Sequence, residues 1–272
     1  MTINRGLPAL VRSMMTRYYD SVSTGQGPTV GEALKTQKFY TLLYDAGVLE
    51  HLRLWLDASD ASTISLDTGV SGWVDKSAYG NNLSQGSGSL QPAYVTNLGH
   101  RNVYFDGSAV RVEGATDLFR NTDFEVFMLC NVGAGSANFG RLLAHEGSGV
   151  GNRVYNLGVD SSSPLKVRSV MDTTAGDGKS VVESASSVGN WHVYGHRLGS
   201  DILSLDIDGV QVDSDSPAGI TLDQSYALSI GASESGANAS QMDLAEVIVF
   251  HCELSLKARY AIINSLTTFW GI

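Results

Sequence analysis

The stretch M-D-L-A-E-V-I-V-F (Met242 to Phe250) constrains this chain more than any other. Leu244, Val247, Ile248, Val249 and Phe250 make a nearly continuous apolar run rich in β-branched residues. That is how a strand reads when both of its faces are covered. After His251 and Cys252 the period changes. Leu254, Ala258, Ala261, Ile262, Ser265, Leu266 and Phe269 recur every three or four residues, a helix with one buried face. An inner strand followed by a helix laid across it needs most of a sheet already in place, and Val249 is expected in its core.

The body of the chain supplies that sheet. L-R-L-W-L-D-A-S-D (Leu52 to Asp60) alternates apolar and polar residues into a turn, and Phe124 to Val132 reads as a buried strand. Arg141 to Ala144, Tyr155 to Val159, Leu165 to Met171, Ser180 to Ser184 and Tyr226 to Ile230 continue the meander. In L-S-L-D-I-D-G-V-Q-V, Leu203, Leu205 and Ile207 share a face, and Asp208-Gly209 is a two-residue hairpin turn. Thirty glycines against five prolines fit many short strands joined by tight turns. The pattern predicts a mainly β chain, a two-sheet antiparallel sandwich of the jelly-roll kind.

The first fifty residues differ. Leu7, Leu10, Val11, Met14, Met15, Tyr18, Tyr19 and Val22 fall at helical spacing, with Pro8 in the first turn. A second helix is expected from Thr29 to Ala46, with Thr29 and Glu32 in a capping box. This divides the chain into a helical segment, residues 1–50, and a sandwich with a C-terminal helix, residues 51–272. The Met/Tyr stripe has three readings: a hairpin packed on its own sandwich, an anchor that buries the stripe on another chain, or, disfavoured by the scarcity of Lys/Arg on its polar face, a membrane-surface helix. The second reading makes those eight residues assembly residues.

Several blocks carry a family resemblance. W-H-V-Y-G-H-R-L-G-S-D-I-L-S-L-D-I-D-G-V-Q-V (Trp191 to Val212) resembles the laminin-G-like and concanavalin A-like signature, and Trp191 is expected to be buried. L-W-L-D-A-S-D, W-V-D-K-S-A-Y-G-N-N, Q-P-A-Y-V and Y-F-D-G-S resemble the opening blocks of that superfamily, and L-A-E-V-I-V-F its closing block. The match covers about Leu52 to Ile272 in order. It implies the concanavalin A-like lectin/glucanase fold, which carries lectins, glycosidases, adhesion modules and virion proteins, so it does not fix function. In that superfamily Asp75, Asn81 and Asp243 occupy positions that can place oxygen ligands around calcium. No other cofactor is expected.

Glycosidases of this fold resemble one another in an E-x-D-x-x-E strand, and no such run occurs here. Asp243 and Glu246, three apart, are expected on opposite faces of their strand. Asp206 and Asp208 are expected at the surface. His192 and His196 would lie about 13 Å apart on a strand, too far to share one ion. The Gly147 to Gly151 run precedes no helix and reads as a rim loop. For a sugar, Tyr79, Asn152, Tyr155 and Asn156 are the candidate contacts. Cys130 and Cys252 read as reduced thiols.

A net charge of −10 argues against nucleic acid as the partner. No stretch approaches the ~20 apolar residues of a membrane span, and no signal peptide is legible. These features favour a non-enzymatic virion structural or adhesive protein, made in a host cytoplasm. It would attach to other virion proteins through residues 1–50, assemble as a homo-oligomer and display a lectin-like sandwich that meets surface glycans. The alternatives are a stand-alone carbohydrate-binding module and, last, a glycoside hydrolase.

Overall fold

The structure is a computed structural model that describes residues 7–22, 28–97, 99–108, 110–114, 118–119, 123–146, 153–172, 178–199, 201–220, 222 and 225–272. In chain order the described elements begin with α1 (Ala9–Ser21) and α2 (Val30–Asp45). The strands follow: β1 (Leu52–Asp57), β2 (Ile64–Leu66), β3 (Val70–Trp73), β4 (Leu83–Ser84), β5 (Ala93–Asn97), β6 (His100–Asp106), β7 (Val112–Gly114), β8 (Phe124–Val132) and β9 (Arg141–Glu146). Then come β10 (Arg153–Val159), β11 (Val167–Asp172), β12 (Gly178–Val182), β13 (Trp191–Leu198), β14 (Leu203–Ile207), β15 (Val210–Asp215), β16 (Leu228–Ile230) and β17 (Gln241–Phe250). Helix α3 (Leu256–Trp270) closes the order.

The strands form two antiparallel sheets, as expected. The first runs β15-β14-β13-β8-β17-β6-β5, with β1 also paired to β17; the second runs β12-β11-β10-β9-β16-β7-β4-β3-β2. Strand β17 is an inner strand. One side pairs with β8 throughout, while the other pairs first with β6 and then with β1. Met242, Leu244, Val247 and Val249 point between the sheets, and Ala245, Ile248 and Phe250 point to the helices. The face changes because the register slips between Leu244 and Glu246. A bulge adds one residue and reverses the alternation beyond it.

The outer face of the first sheet is apolar and needs a cover. Trp55, Phe127, Leu129, Val193, Ile248 and Phe250 share one buried cluster with residues from all three helices. This decides what the Met/Tyr stripe packs on. Val11, Met14 and Met15 join that cluster, Leu7 and Tyr19 pack against it, Tyr18 and Val22 are buried, and Leu10 stays exposed. The stripe expected to bury itself on another chain is therefore largely covered by its own sandwich.

Beneath α2 lies a buried set of charges. The Lys35 ammonium sits 2.9 Å from Asp57 Oδ1 and 2.5 Å from Glu246 Oε1. Lys76, fully buried, lies 3.0 Å from Asp57 Oδ2 and 3.0 Å from Asp60 Oδ2. The Tyr18 hydroxyl donates to Asp60, and the indole N–H groups of Trp55 and Trp270 donate to Glu246 at 2.9 and 2.7 Å. Burial opposes ionisation of Asp57, but Lys35 and Lys76 outweigh it and hold its carboxyl well below the usual range. For Lys76 burial is outweighed by Asp57 and Asp60, which raise its pKa.

Two predictions follow from this packing. Lys76→Met leaves Asp60 without its cation and Asp57 with Lys35 alone in a dry site, and is expected to cost about 3–5 kcal/mol. A urea midpoint near that of the wild type would contradict this. Within the core, His196 is fully buried against Phe124 and Tyr155, and burial lowers its pKa from 6.5 to about 3. Between those values the unfolded chain takes up a proton that the folded chain refuses. Stability should therefore fall as pH drops through that window. His196→Phe should flatten this acid slope in unfolding midpoints measured across it, and an unchanged slope would show that His196 is not its source.

Candidate functional site

Four side chains from four strands stand in one row on the outer face of the first sheet. Trp191 of β13 pairs with Asn131 of β8, Asn131 with Asp243 of β17, and Asp243 with Tyr104 of β6. Three strand spacings of about 4.8 Å make the row about 14 Å long. All four residues are half-buried. The row lies beyond the end of α3, whose Trp270 stacks on Trp191 with ring centroids 6.2 Å apart and planes 19° apart.

The polar groups here are short of partners. Asn131 Oδ1 is shielded from solvent, and no described residue hydrogen-bonds to it. Asn102, on the same face of β6 as Tyr104, is fully buried, and neither its Oδ1 nor its Nδ2 has a partner among the described residues. Burial raises the Asp243 pKa, against a hydrogen bond from Asn97 that lowers it. The Tyr104 hydroxyl accepts from Gln241 Nε2 at 3.0 Å. Buried amides are normally satisfied, so orphaned ones call for an explanation. The row offers an indole face, amide donors and acceptors, a phenol and a carboxylate side by side.

Sequence reasoning singled out Asp243 but for calcium, and it missed Asn102, Tyr104 and Asn131. Trp191, expected to be buried, is half-buried because it opens its strand at the margin of the helical cover. Asp75 and Asn81 lie elsewhere. Asp75 Oδ1 accepts from the backbone of Trp55 and Ser77 at 2.9 and 2.7 Å, and Oδ2 from Asn81 N and Ser77 Oγ at 2.9 and 2.6 Å. Its oxygens thus organise a turn, and Asn81 Nδ2 donates to Arg53 O at 2.7 Å. The structure does not bring the three expected calcium ligands together. Among the described residues no three His, Cys, Asp or Glu side chains are grouped to hold a metal.

The expected sugar contacts also separate. Tyr79 is 51% exposed, with the Arg53 guanidinium 4.0 Å from its ring centroid. Tyr155 is instead fully buried, stacked on His196 at 4.9 Å. Asn156 is also buried, its Nδ2 donating to Glu146 Oε2 at 3.1 Å. Both lie on β10, whose two faces are covered, so neither is displayed. Asn152 lies outside the described residues.

Among the described residues, two cation-bridged carboxylate pairs stand out beside the Asp57–Lys76–Asp60 contact described above. Lys35 separates Asp57 from Glu246, and Arg259 contacts both Glu125 and Asp206. Asp206, expected at the surface, is buried under α3. Glu125 is pushed up to about 7 by burial, against the pull of Arg259. Both pairs are closed off from solvent. The bulge also puts Glu246 on the helix side with Asp243, not opposite it as alternation predicts.

No protein-family model and no curated protein sequence matches the chain. Solved structures do resemble it. The binding domain of Paraclostridial Mosquitocidal Protein 1 is similar with a TM-score of 0.60 at 13% identity, over 82% of this chain and 55% of that one. The ligand-binding domain of botulinum neurotoxin serotype D, in complex with N-acetylneuraminic acid, gives 0.57 and 13%, over 80% and 52%. The serotype G binding domain gives 0.58 and 11%, over 82% and 54%. The likeness is one of fold. It places this chain among two-sheet sandwiches like those of toxin binding domains, and the chain spans about half the length of each.

The orphaned amide gives a direct test. If Asn102 lacks hydrogen-bond partners in the folded chain, Asn102→Leu should be neutral or stabilising within about 1 kcal/mol. A loss of about 2 kcal/mol or more in urea unfolding would mean that the amide is satisfied and structural.

Proposed function

We propose that this chain is a non-catalytic, carbohydrate-binding module that takes a glycan along the Trp191–Asn131–Asp243–Tyr104 row. The observation that carries the reading is the row itself, a half-buried indole abreast of an amide and a carboxylate. A sugar ring has an apolar C–H face that stacks on an aromatic ring and hydroxyls that both donate and accept hydrogen bonds. Trp191 meets the first need. Asn131 and Asp243 meet the second, since an amide does both and a carboxylate accepts. The serotype D domain, which this chain resembles over 52% of that domain's length, is in complex with N-acetylneuraminic acid, and that makes a sialylated glycan the first ligand to test.

A non-enzymatic role draws support from the carboxylate pairs, which are bridged by cations and lie out of reach of a substrate. The concanavalin A/laminin-G assignment and a bacteriophage virion role rest on sequence resemblance and analogy. The Met/Tyr stripe expected to make that attachment is largely covered by its own sandwich.

A glycan array probed with the full chain, followed by calorimetric titration of the best sugar, tests the proposal. Trp191→Ala and Asp243→Asn should each weaken binding by about tenfold or more, with Asp243→Asn leaving the unfolding midpoint near that of the wild type. Retention of no glycan, or equal affinity in both variants, would overturn it.

A further inference from the structure

A pocket lies beside the last turn of α3, away from the Trp191 row. It has a volume of about 210 Å³ and opens between the start of α2, the loop after β1, the β5–β6 turn and Phe269. Its walls are uneven in what they have left to offer. Glu32 is already committed: Oε1 accepts from Ala61 N at 3.2 Å and Oε2 from Thr29 N at 2.5 Å. Ser59 donates to Asp57 at 2.6 Å and accepts from Lys35 at 3.0 Å. Lys35 itself, 3.8 Å from the centroid of the Phe269 ring, is held between Asp57 and Glu246.

Of the lining's two ionised side chains, Glu32 and Arg101, the second has no ionic partner among the described residues. It is exposed, and its guanidinium stands 5.0 Å from the centroid of the Tyr94 ring. That ring is itself fixed, because the Tyr94 hydroxyl donates to Ala58 O at 2.7 Å. No carboxylate among the described residues pairs with Arg101. A planar fork of donors with no anion is matched by a carboxylate, which it can hold through two parallel hydrogen bonds. Beside it stand the Phe269 ring, 36% exposed, and the His100 ring, whose centroid lies 4.9 Å from that of Phe269. The nearby Glu32 charge disfavours a dianion such as phosphate.

We propose that this pocket is a separate binding site for a small monocarboxylate, its anionic group on Arg101 and its ring against Phe269. The site is distinct from the Trp191 row and does not depend on that row binding a glycan. The volume is below the ~300–1,000 Å³ of drug-sized sites, which limits the occupant to about one ring.

The test is an NMR titration of the full chain with benzoate, glucuronate, glucose and inorganic phosphate. It is run on the wild type, on Arg101→Met, which keeps a stem over Tyr94 while removing the charge, and on Trp191→Ala. Benzoate or glucuronate should shift the His100 and Phe269 resonances in a saturable way, with glucose and phosphate at least about tenfold weaker. Arg101→Met should lose about tenfold or more in affinity with an unchanged melting temperature, and Trp191→Ala should bind as the wild type does. No saturable shift with either carboxylate, glucose or phosphate binding as tightly, or an indifferent Arg101→Met would each overturn the proposal. Loss of carboxylate binding in Trp191→Ala would overturn the separateness of the two sites. Failure of the array alone would sink only the glycan reading.

Discussion

Everything that covers the outer face of the first sheet is tied to one set of buried charges. Lys35 comes from α2, Tyr18 from α1 and the Trp270 indole from α3, and they converge on Asp57, Asp60 and Glu246 of the sandwich side. Two lysines face three carboxylates, so the negative surplus must be accommodated. It falls on Glu246, whose proton affinity burial and Asp57 raise, and which two indole N–H groups steady. Well-packed apolar groups could supply comparable stability in such a place. What ions add is position, because a helix shifted by one turn would strand a lysine away from its carboxylates.

Much of the sandwich was legible because its signals are local. The Asp208-Gly209 turn adopts positive φ at both residues, 52° and 83°, and joins β14 to β15 as the sequence pattern requires. The Thr29–Glu32 capping box is present at the start of α2, and Gly271 ends α3 in a left-handed conformation. Strand β17 is covered on both faces, with Val249 fully buried. The partner of the helical stripe was not legible, since periodicity reports that a face is buried and not what buries it.

The site was less legible, for a related reason. Trp191, Asn131, Asp243 and Tyr104 are far apart in sequence, and only strand order and register set them abreast. The bulge before Glu246 cannot be seen in a run of apolar residues, yet it decides that Asp243 and Glu246 share a face. Tyr155 and Asn156 show the converse. Polar residues beside a glycine-rich run suggested an open rim, but their strand is interior to the second sheet and Tyr155 lies in the core.

The Lys35–Glu246 contact joins residues 211 apart in the chain. Closing so long a loop is slow, and chains dominated by such pairings fold slowly. Contacts that form after the rate-limiting step do little to hasten folding, and act by delaying the reverse reaction. A clasp of this kind, where it closes after the rate-limiting step, governs the lifetime of the native state more than the speed with which it is reached.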